Sequence, residues 1–125
     1  MRINVIGSGY MGKQISALLR LIGFDVLIWN YNNKDLSTDI NHETRKLEKI
    51  LKIKALGTSS FENNLNKFEN NFTIETVKEN LDIKKKIIES LNYKENIFSN
   101  TSSLKLSKIA DYVNGFHFMN PVTTK

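Results

Sequence analysis

The sequence predicts an α/β protein with a doubly wound parallel β-sheet and helices on both faces. Two observations support this fold class. Short β-branched or continuously apolar runs alternate with stretches of helical periodicity along the 125 residues, which is typical of parallel strands joined by crossover helices. The first strand also runs directly into a glycine-rich turn that opens a helix. In such a sheet the ligand site is expected at the carboxyl ends of the strands.

The first strand–helix–strand unit occupies the amino-terminal part of the chain. A short apolar run, residues 3–6, predicts a strand that ends at Gly7. The helix that follows is expected to stop at Gly23, since glycine commonly ends helices. Its apolar residues recur at helical spacing and are Met11, Ile15, Leu18, Leu19 and Ile22. The next run, residues 26–29, is continuously apolar, as expected of a parallel strand buried on both faces.

The middle of the chain predicts a second helix and a short strand. Residues 30–41 are polar and rich in turn-forming types, and the helix after them is expected to stop at Gly57. Its helical period is formed by Leu47, Ile50, Leu51 and Lys54. Residues 58–60 have room for a brief strand, and the Asn-rich residues 63–71 predict a loop with a short helix.

The last part of the chain predicts two further strands, each followed by a helix. The strands are residues 72–77 and 97–99. Asn80 or Asp82 is positioned to cap the first helix. The apolar stripe of this helix consists of Ile83, Ile87, Ile88 and Leu91. The second helix contains Leu104, Lys108, Ile109 and Tyr112. Residues 113–119 then predict an extended segment.

Composition limits the kinds of site that the chain can contain. The absence of cysteine excludes disulfides, thiolate nucleophiles and thiolate metal ligands. The two histidines, His42 and His117, belong to no close-spaced pair of ligands, so we expect no metal site. No apolar stretch approaches the roughly 20 residues of a membrane span, and the first residues do not resemble a signal peptide. We therefore expect one cytoplasmic domain, residues 1–125, without a membrane partner.

The net charge of +5 says little about partners. Many of the lysines fall on segments with helical periodicity, where solvated helix faces account for most of them. These lysines are Lys46, Lys49, Lys52, Lys84, Lys85 and Lys86. We therefore expect no nucleic-acid partner.

A G-x-G-x-x-G motif lies between the first strand and the first helix. In this setting Gly7 permits a tight turn, Gly9 lets the backbone approach a pyrophosphate, and Gly12 allows close packing of helix and strand. The helix N-terminus offers N–H groups and a positive dipole end to the phosphates. An ordinary glycine turn is the alternative. We predict a Rossmann-type dinucleotide-binding domain, with candidate cofactor-binding residues Gly7, Ser8, Gly9, Tyr10, Met11, Gly12 and Asn30.

Asn30 stands where an acidic residue is expected about 20 residues after the motif. An aspartate there would accept hydrogen bonds from the adenosine ribose and repel a 2′-phosphate. Asn30 keeps the hydrogen bonding but not the repulsion, and Lys34 is near enough in sequence to meet a 2′-phosphate. Lys34 as an ordinary loop lysine is the preferred interpretation. We expect NAD as the cofactor and leave NADP open.

Two polar segments follow predicted strands: N-T-S-S-L at residues 100–104 and G-F-H-F-M-N-P-V at residues 115–122. Together with the glycine motif and E-N-L-D-I-K at residues 79–84, they resemble the NAD-binding domain of the 3-hydroxyacyl-CoA dehydrogenase family. The resemblance extends from residue 1 to residue 125, although residues 30–72 match only in pattern.

The resemblance implies a reaction and roles for particular residues. The reaction is the reversible oxidation of a 3-hydroxyacyl thioester to its 3-oxo form. His117 matches the catalytic histidine, which takes the proton from the 3-hydroxyl as hydride leaves C3 for the nicotinamide. Ser102 matches the serine that hydrogen-bonds the substrate oxygen, and Asn120 the asparagine beside nicotinamide and substrate. Glu79 and Lys84 match positions that contact the cofactor.

Each of these residues also has a structural interpretation. His117 lies between two phenylalanines, where a hydrogen-bonded core histidine is common. Ser102 or Ser103 can cap the following helix. Glu79 and Lys84 can be helix charges with no ligand.

In the family that the chain resembles, a glutamate beyond the Asn-Pro-Val segment orients the histidine, and a helical domain then closes over the acyl-CoA and forms the dimer. The chain stops at Lys125, before both. We therefore expect a fragment or a shortened relative of such an enzyme, with an acyl-CoA-type substrate; self-association into a homo-oligomer is left open. The alternatives are a non-catalytic dinucleotide-binding or sensory module, and a dehydrogenase of another hydroxy acid or hydroxy sugar.

Overall fold

A computed structural model describes residues 1–30, 36–101 and 106–115 of the chain. Its strands are β1 (Arg2–Ile6), β2 (Asp25–Trp29), β3 (Ser59–Glu62), β4 (Phe72–Glu75), β5 (Ile97–Ser99) and β6 (Val113–Gly115). They form one sheet in the order β3-β2-β1-β4-β5-β6, and neighbouring strands pair in parallel throughout. The order reverses between β1 and β4, which is the switch point of a doubly wound sheet. The predicted fold class is confirmed.

Helices cover both faces of this sheet. They are α1 (Tyr10–Ile22), α2 (Ser37–Leu51), α3 (Leu81–Glu89) and α4 (Leu106–Ile109), with a 3₁₀ turn at Leu65–Lys67. Val5 belongs to an apolar cluster with residues of α1 and α2, whereas its neighbour Ile6 packs with residues of α3 and α4. Because successive side chains of a strand point to opposite faces, α1 and α2 lie on one face of the sheet and α3 and α4 on the other.

The first unit of the chain agrees with its predicted bounds, although Ile22 of the predicted apolar stripe is 61 % exposed. α1 ends at Gly23, which adopts the left-handed conformation with φ of 118° and donates its N–H to the carbonyls of Leu19 and Arg20. In β2, Val26 packs into one apolar cluster and Trp29 into the other. The continuously apolar run is therefore a strand buried on both faces, as expected.

The predicted bounds of the second helix are wrong at both ends. α2 begins at Ser37, within the stretch that we interpreted as turn-rich, and ends at Leu51. Its buried stripe consists of Ile40, Thr44 and Leu47, while Ile50 and Leu51 are each 49 % exposed. The helix ends because Lys52 adopts a left-handed conformation.

Three later elements are shorter than expected. α3 ends at Glu89, before Leu91 of its predicted stripe. β4 ends at Glu75 rather than at residue 77, and α4 spans four residues with Tyr112 beyond its end. The connection from β3 to β4 is a loop that contains the 3₁₀ turn, which agrees with the short helix predicted within residues 63–71. β6 confirms the start of the last extended segment. Leu104 and residues 116–119 lie outside the described residues.

The interpretation of the lysines as solvated helix faces holds for all but one of them. Lys46, Lys49, Lys52, Lys85 and Lys86 are exposed. Lys84 is instead 1 % exposed, and α3 turns it toward the sheet. The N-terminus of α3 is capped by Asn80, whose side-chain oxygen accepts a hydrogen bond from the Ile83 N–H at 3.1 Å. The interpretation was therefore wrong for Lys84.

A buried polar network ties β1 to β4 and to the segment after α3. Thr73 donates its hydroxyl proton to the Asn71 carbonyl at 2.8 Å, so the Tyr93 hydroxyl is the donor in its own contact with Thr73. The Asn4 amide nitrogen donates to the Tyr93 hydroxyl at 3.0 Å. Burial raises the pKa of Tyr93, since a phenolate is poorly solvated inside the protein.

We expect Tyr93→Phe to lower the free energy of unfolding by about 1–2 kcal/mol at neutral pH, because buried partners lose a hydrogen bond. The raised pKa means that the hydroxyl stabilises the fold fully below pH 10 and less as the pH rises through that pKa. The difference in free energy of unfolding between wild type and variant should therefore be smaller at about pH 11 than at neutral pH. Urea unfolding followed by circular dichroism measures both values, and a difference that does not change with pH would contradict this account.

Candidate cofactor site

The segments that follow the strands emerge at one edge of the sheet. The register aligns Ile6 with Trp29 on one side and with Glu75 on the other, and Glu75 with Ser99. Parallel strands in register present their carboxyl ends together. The residues that immediately follow these ends are Gly7, Asn30, Thr76 and Asn100. The edge therefore collects the glycine turn, Asn30 and the first residue of the predicted segment 100–104, as the fold class requires.

Two glycines of the motif are required by close backbone contacts. Gly7 has φ of 123°, and a Cβ on it would lie 2.6 Å from the Thr76 hydroxyl oxygen. A Cβ on Gly12 would lie 2.3 Å from the Gly7 carbonyl oxygen, well inside van der Waals contact. Only glycine at both positions lets α1 approach the turn and the end of β4 so closely.

Gly9 differs from these two glycines because its missing side chain faces open space. A Cβ added to Gly9 would meet no atom within 4 Å. α1 begins at this point without a side-chain cap and without an acidic residue in its first turn. Exposed Tyr10 and half-buried Met11 follow. The room and the N–H groups that a pyrophosphate requires are therefore present at this helix N-terminus.

A cavity of about 610 Å³ opens beside the turn. It lies between the glycine turn and the segment after β4, and α3 contributes apolar side chains to it. Lys78 adds a positive charge. The residues that line the cavity are Gly7, Ser8, Gly9, Trp29, Thr76, Val77, Lys78, Ile83 and Ile87. The volume and the mixed lining suit a small ligand with an apolar part and an anionic part.

Asn30 lies at the end of β2 and is held by the glycine turn. The Ser8 hydroxyl donates to the Asn30 side-chain oxygen at 2.7 Å, and Asn30 is 5 % exposed. The turn therefore fixes the orientation of the amide that stands in the expected acidic position. Lys34, the candidate for meeting a 2′-phosphate, lies outside the described residues.

Lys84 forms a buried ion pair that sequence reasoning did not identify. Its ammonium group lies 2.7 Å from a carboxylate oxygen of Glu75, which is fully buried, and 3.9 Å from Glu79. The available signal was a glutamate within the run of residues 72–77, followed by a lysine nine positions later. No local pattern shows that α3 turns this lysine toward the sheet.

Glu79 connects the segment after β4 with the segment after β5. Its carboxylate accepts a hydrogen bond from the Thr101 hydroxyl. The backbone N–H of Asn100 also donates to the Glu75 carbonyl at 2.8 Å. The chain is thus held at two successive residues directly before Ser102.

The three predicted catalytic residues, Ser102, His117 and Asn120, lie outside the described residues, as does Ser103. Gly115, two residues before His117, ends β6 and pairs with Ser99 at the edge that carries the cavity. Among residues 1–30, 36–101 and 106–115, no cluster of three or more potential metal ligands occurs. The same part of the chain contains no helix long and apolar enough to span a membrane.

Comparison with known proteins shows one consistent family. Residues 2–125 match the family model described as "3-hydroxyacyl-CoA dehydrogenase, NAD binding domain". A probable 3-hydroxybutyryl-CoA dehydrogenase of Deinococcus radiodurans is 31 % identical over 98 % of the chain and 51 % of its own length. A glyoxysomal fatty acid beta-oxidation multifunctional protein of Brassica napus is 25 % identical over 96 % of the chain and 19 % of its own length. The chain thus spans between a fifth and a half of these relatives.

Solved structures agree with this result. The structure of FadB2 of M. tuberculosis superposes with a TM-score of 0.74 at 25 % identity, over 97 % of the chain and 50 % of that protein. The (S)-3-hydroxybutyryl-CoA dehydrogenase PaaH1 of Ralstonia eutropha gives a TM-score of 0.73 at 25 % identity, again over 97 % and 50 %. These similarities support the observed architecture along nearly the whole chain.

The contrast between Gly9 and Gly12 predicts different effects of the same substitution on stability. We expect Gly12→Ala to lower the free energy of unfolding by about 3 kcal/mol or more, because its Cβ would collide with backbone. Gly9→Ala should change it by less than about 1 kcal/mol, since its backbone is extended and its Cβ would face open space. Urea denaturation measures both. A Gly12→Ala variant as stable as the Gly9→Ala variant would contradict the packing described here.

Proposed function

Because the chain belongs to the 3-hydroxyacyl-CoA dehydrogenase family, we propose that it binds NAD in the cavity beside the glycine turn. We further propose that it takes part in the reversible oxidation of a 3-hydroxyacyl thioester to the 3-oxo form. The observation that carries the proposal is the glycine turn, where Gly7 and Gly12 are closed to a side chain and Gly9 alone opens onto free space at a helix N-terminus.

The orientation of the cofactor follows from the strand order. In doubly wound sheets the dinucleotide lies across the switch point, with one mononucleotide half on each side. The pyrophosphate would lie at Gly9 and the N-terminus of α1. The adenosine half would extend toward Asn30 at the end of β2, and the nicotinamide half toward Thr76 and Val77 after β4. The family description supports NAD, and NADP is the competing ligand to be measured.

The proposed chemistry assigns a proton transfer to this chain. When bound, the nicotinamide supplies the acceptor for the hydride that leaves C3 of the substrate. His117 takes the proton from the 3-hydroxyl in the oxidative direction and returns it in the reductive direction. An imidazole suits this role because its ordinary pKa is about 6.5. Ser102 donates a hydrogen bond to the substrate oxygen, and Asn120 lies beside nicotinamide and substrate.

The substrate class rests on the relatives. The probable enzyme of D. radiodurans is named for 3-hydroxybutyryl-CoA, and its matched part is 51 % of its length. We therefore propose an acyl-CoA substrate for this chain, with turnover to be measured separately from cofactor binding. Cytoplasmic location stays a prediction, and self-association into a homo-oligomer stays open.

We expect the chain to bind NADH, and Gly9→Ala to raise the Kd at least about tenfold, because the new Cβ occupies the space of the pyrophosphate. Titration followed by NADH fluorescence measures this, with exposed Ser60→Ala as a control that should match wild type. Wild-type protein that binds neither NADH nor NADPH would overturn the proposal. Tighter binding of NADPH than of NADH would overturn only the choice of NAD as the cofactor.

Turnover provides the test of His117. NADH oxidation with acetoacetyl-CoA should be abolished by His117→Ala, while the Kd for NADH stays within a few-fold of wild type, because the imidazole acts on the substrate proton. A large loss of NADH affinity would instead indicate a structural histidine. Wild-type protein that binds NADH without turnover at high protein concentration would indicate a non-catalytic nucleotide-binding module.

A further inference from the structure

The buried ion pair between β4 and α3 holds both backbone polar groups of one residue in the cavity wall. The Glu75 carboxylate accepts hydrogen bonds from the Lys84 ammonium at 2.7 Å and from the Val77 N–H at 2.6 Å. The Lys84 ammonium donates to the Val77 carbonyl at 2.9 Å. Val77 is therefore fixed from both sides by a single pair of charges.

The orientation of Glu75 is itself fixed. The second carboxylate oxygen accepts a hydrogen bond from the Ser99 hydroxyl. Glu75 is 0 % exposed and Lys84 is 1 % exposed, so water does not compete for either group. Burying two charges carries a desolvation penalty, and apolar side chains of similar volume often stabilise a fold as well or better. Stability alone is therefore a weak explanation for this pair.

The residue that the pair fixes faces the proposed ligand. Val77 lines the cavity together with Thr76, Lys78 and the glycine turn. The Thr76 N–H donates to the Ile6 carbonyl at 2.8 Å, which anchors the start of this segment to β1. The segment lies on the β4 side of the switch point, where the nicotinamide half of a dinucleotide is expected.

We infer that Glu75 is a positioning residue for the nicotinamide half of the cofactor, acting through Lys84 and Val77. It sets the position of the Val77 peptide groups, and these form the wall against which the nicotinamide half packs. The inference rests on the proposed function, because it requires a dinucleotide in this cavity. It concerns the nicotinamide half only, since the residues proposed for the other half are held by different contacts: the Gly7 N–H donates to the Trp29 carbonyl and the Ser8 hydroxyl donates to Asn30.

ADP-ribose distinguishes positioning from a general structural role. It contains the adenosine, the pyrophosphate and a ribose, but it lacks the nicotinamide ring. A substitution that merely loosens the fold should weaken NADH and ADP-ribose alike. A substitution that displaces the wall at Val77 should weaken NADH and leave ADP-ribose unaffected.

The variant to test is the double substitution Glu75→Gln with Lys84→Met. Each single substitution would leave a buried charge without its partner and is expected to lower Tm strongly. The double variant removes both charges while nearly preserving volume, so it should fold. The matched control is Lys85→Met, which removes an exposed lysine from the adjacent position of the same helix.

We expect calorimetric titration of the double variant to give a Kd for NADH about tenfold above wild type, because the Val77 peptide groups are no longer held where the nicotinamide half packs against them. The Kd for ADP-ribose should stay within twofold, and Lys85→Met should change neither. Equal weakening of both ligands, or no weakening of NADH, would overturn the inference and leave the proposed function standing. Wild-type protein that binds neither ligand would overturn the proposed function, and this inference with it.

Discussion

The close approach of α1 to the turn after β1 is the contact on which the arrangement of the site depends. The space for a Cβ on Gly12 is filled by the Gly7 carbonyl and the Thr76 hydroxyl, so α1 packs directly against the turn and against the residue that follows β4. This contact directs the N-terminus of α1 to the switch point of the sheet. Any residue larger than glycine would move the helix away and remove its N–H groups from the edge where the strands end.

The pairing of the strands fixes the other segments at this edge relative to the glycine turn. β1 lies between β2 and β4 in register, so the positions of Asn30 and Thr76 relative to the turn follow from the ladder. The Gly7 N–H donates to the Trp29 carbonyl at 3.1 Å and the Thr76 N–H to the Ile6 carbonyl at 2.8 Å, which extends the pairing one residue beyond each strand. Backbone hydrogen bonds therefore hold the chain on both sides of β1 where it borders the cavity.

The sequence predicts those features that depend on local spacing. The glycine motif, the buried strand at residues 26–29 and the Asn80 cap are all recognisable within a few residues of chain. α2 was positioned wrongly because its buried stripe includes Thr44, which appears polar in the sequence. The Thr44 hydroxyl donates to the Ile40 carbonyl within the helix at 2.7 Å, so it can be buried at little cost. Lys84 was wrongly predicted to be solvated because its partner, Glu75, belongs to another element and is not recognisable from local spacing.

The ion pair between Glu75 and Lys84 lies where the backbone pairing of β4 ends, and this explains its position. β4 ends at Glu75, and the chain then turns toward α3, so the N–H and carbonyl of Val77 lose the partners that a continuing strand would supply. Val77 is half-buried, and polar backbone groups in such a position require partners. Glu75 accepts from the N–H and Lys84 donates to the carbonyl. The pair therefore supplies the partners that Val77 lacks beyond the end of the ladder, and it holds both peptide groups of Val77 in place.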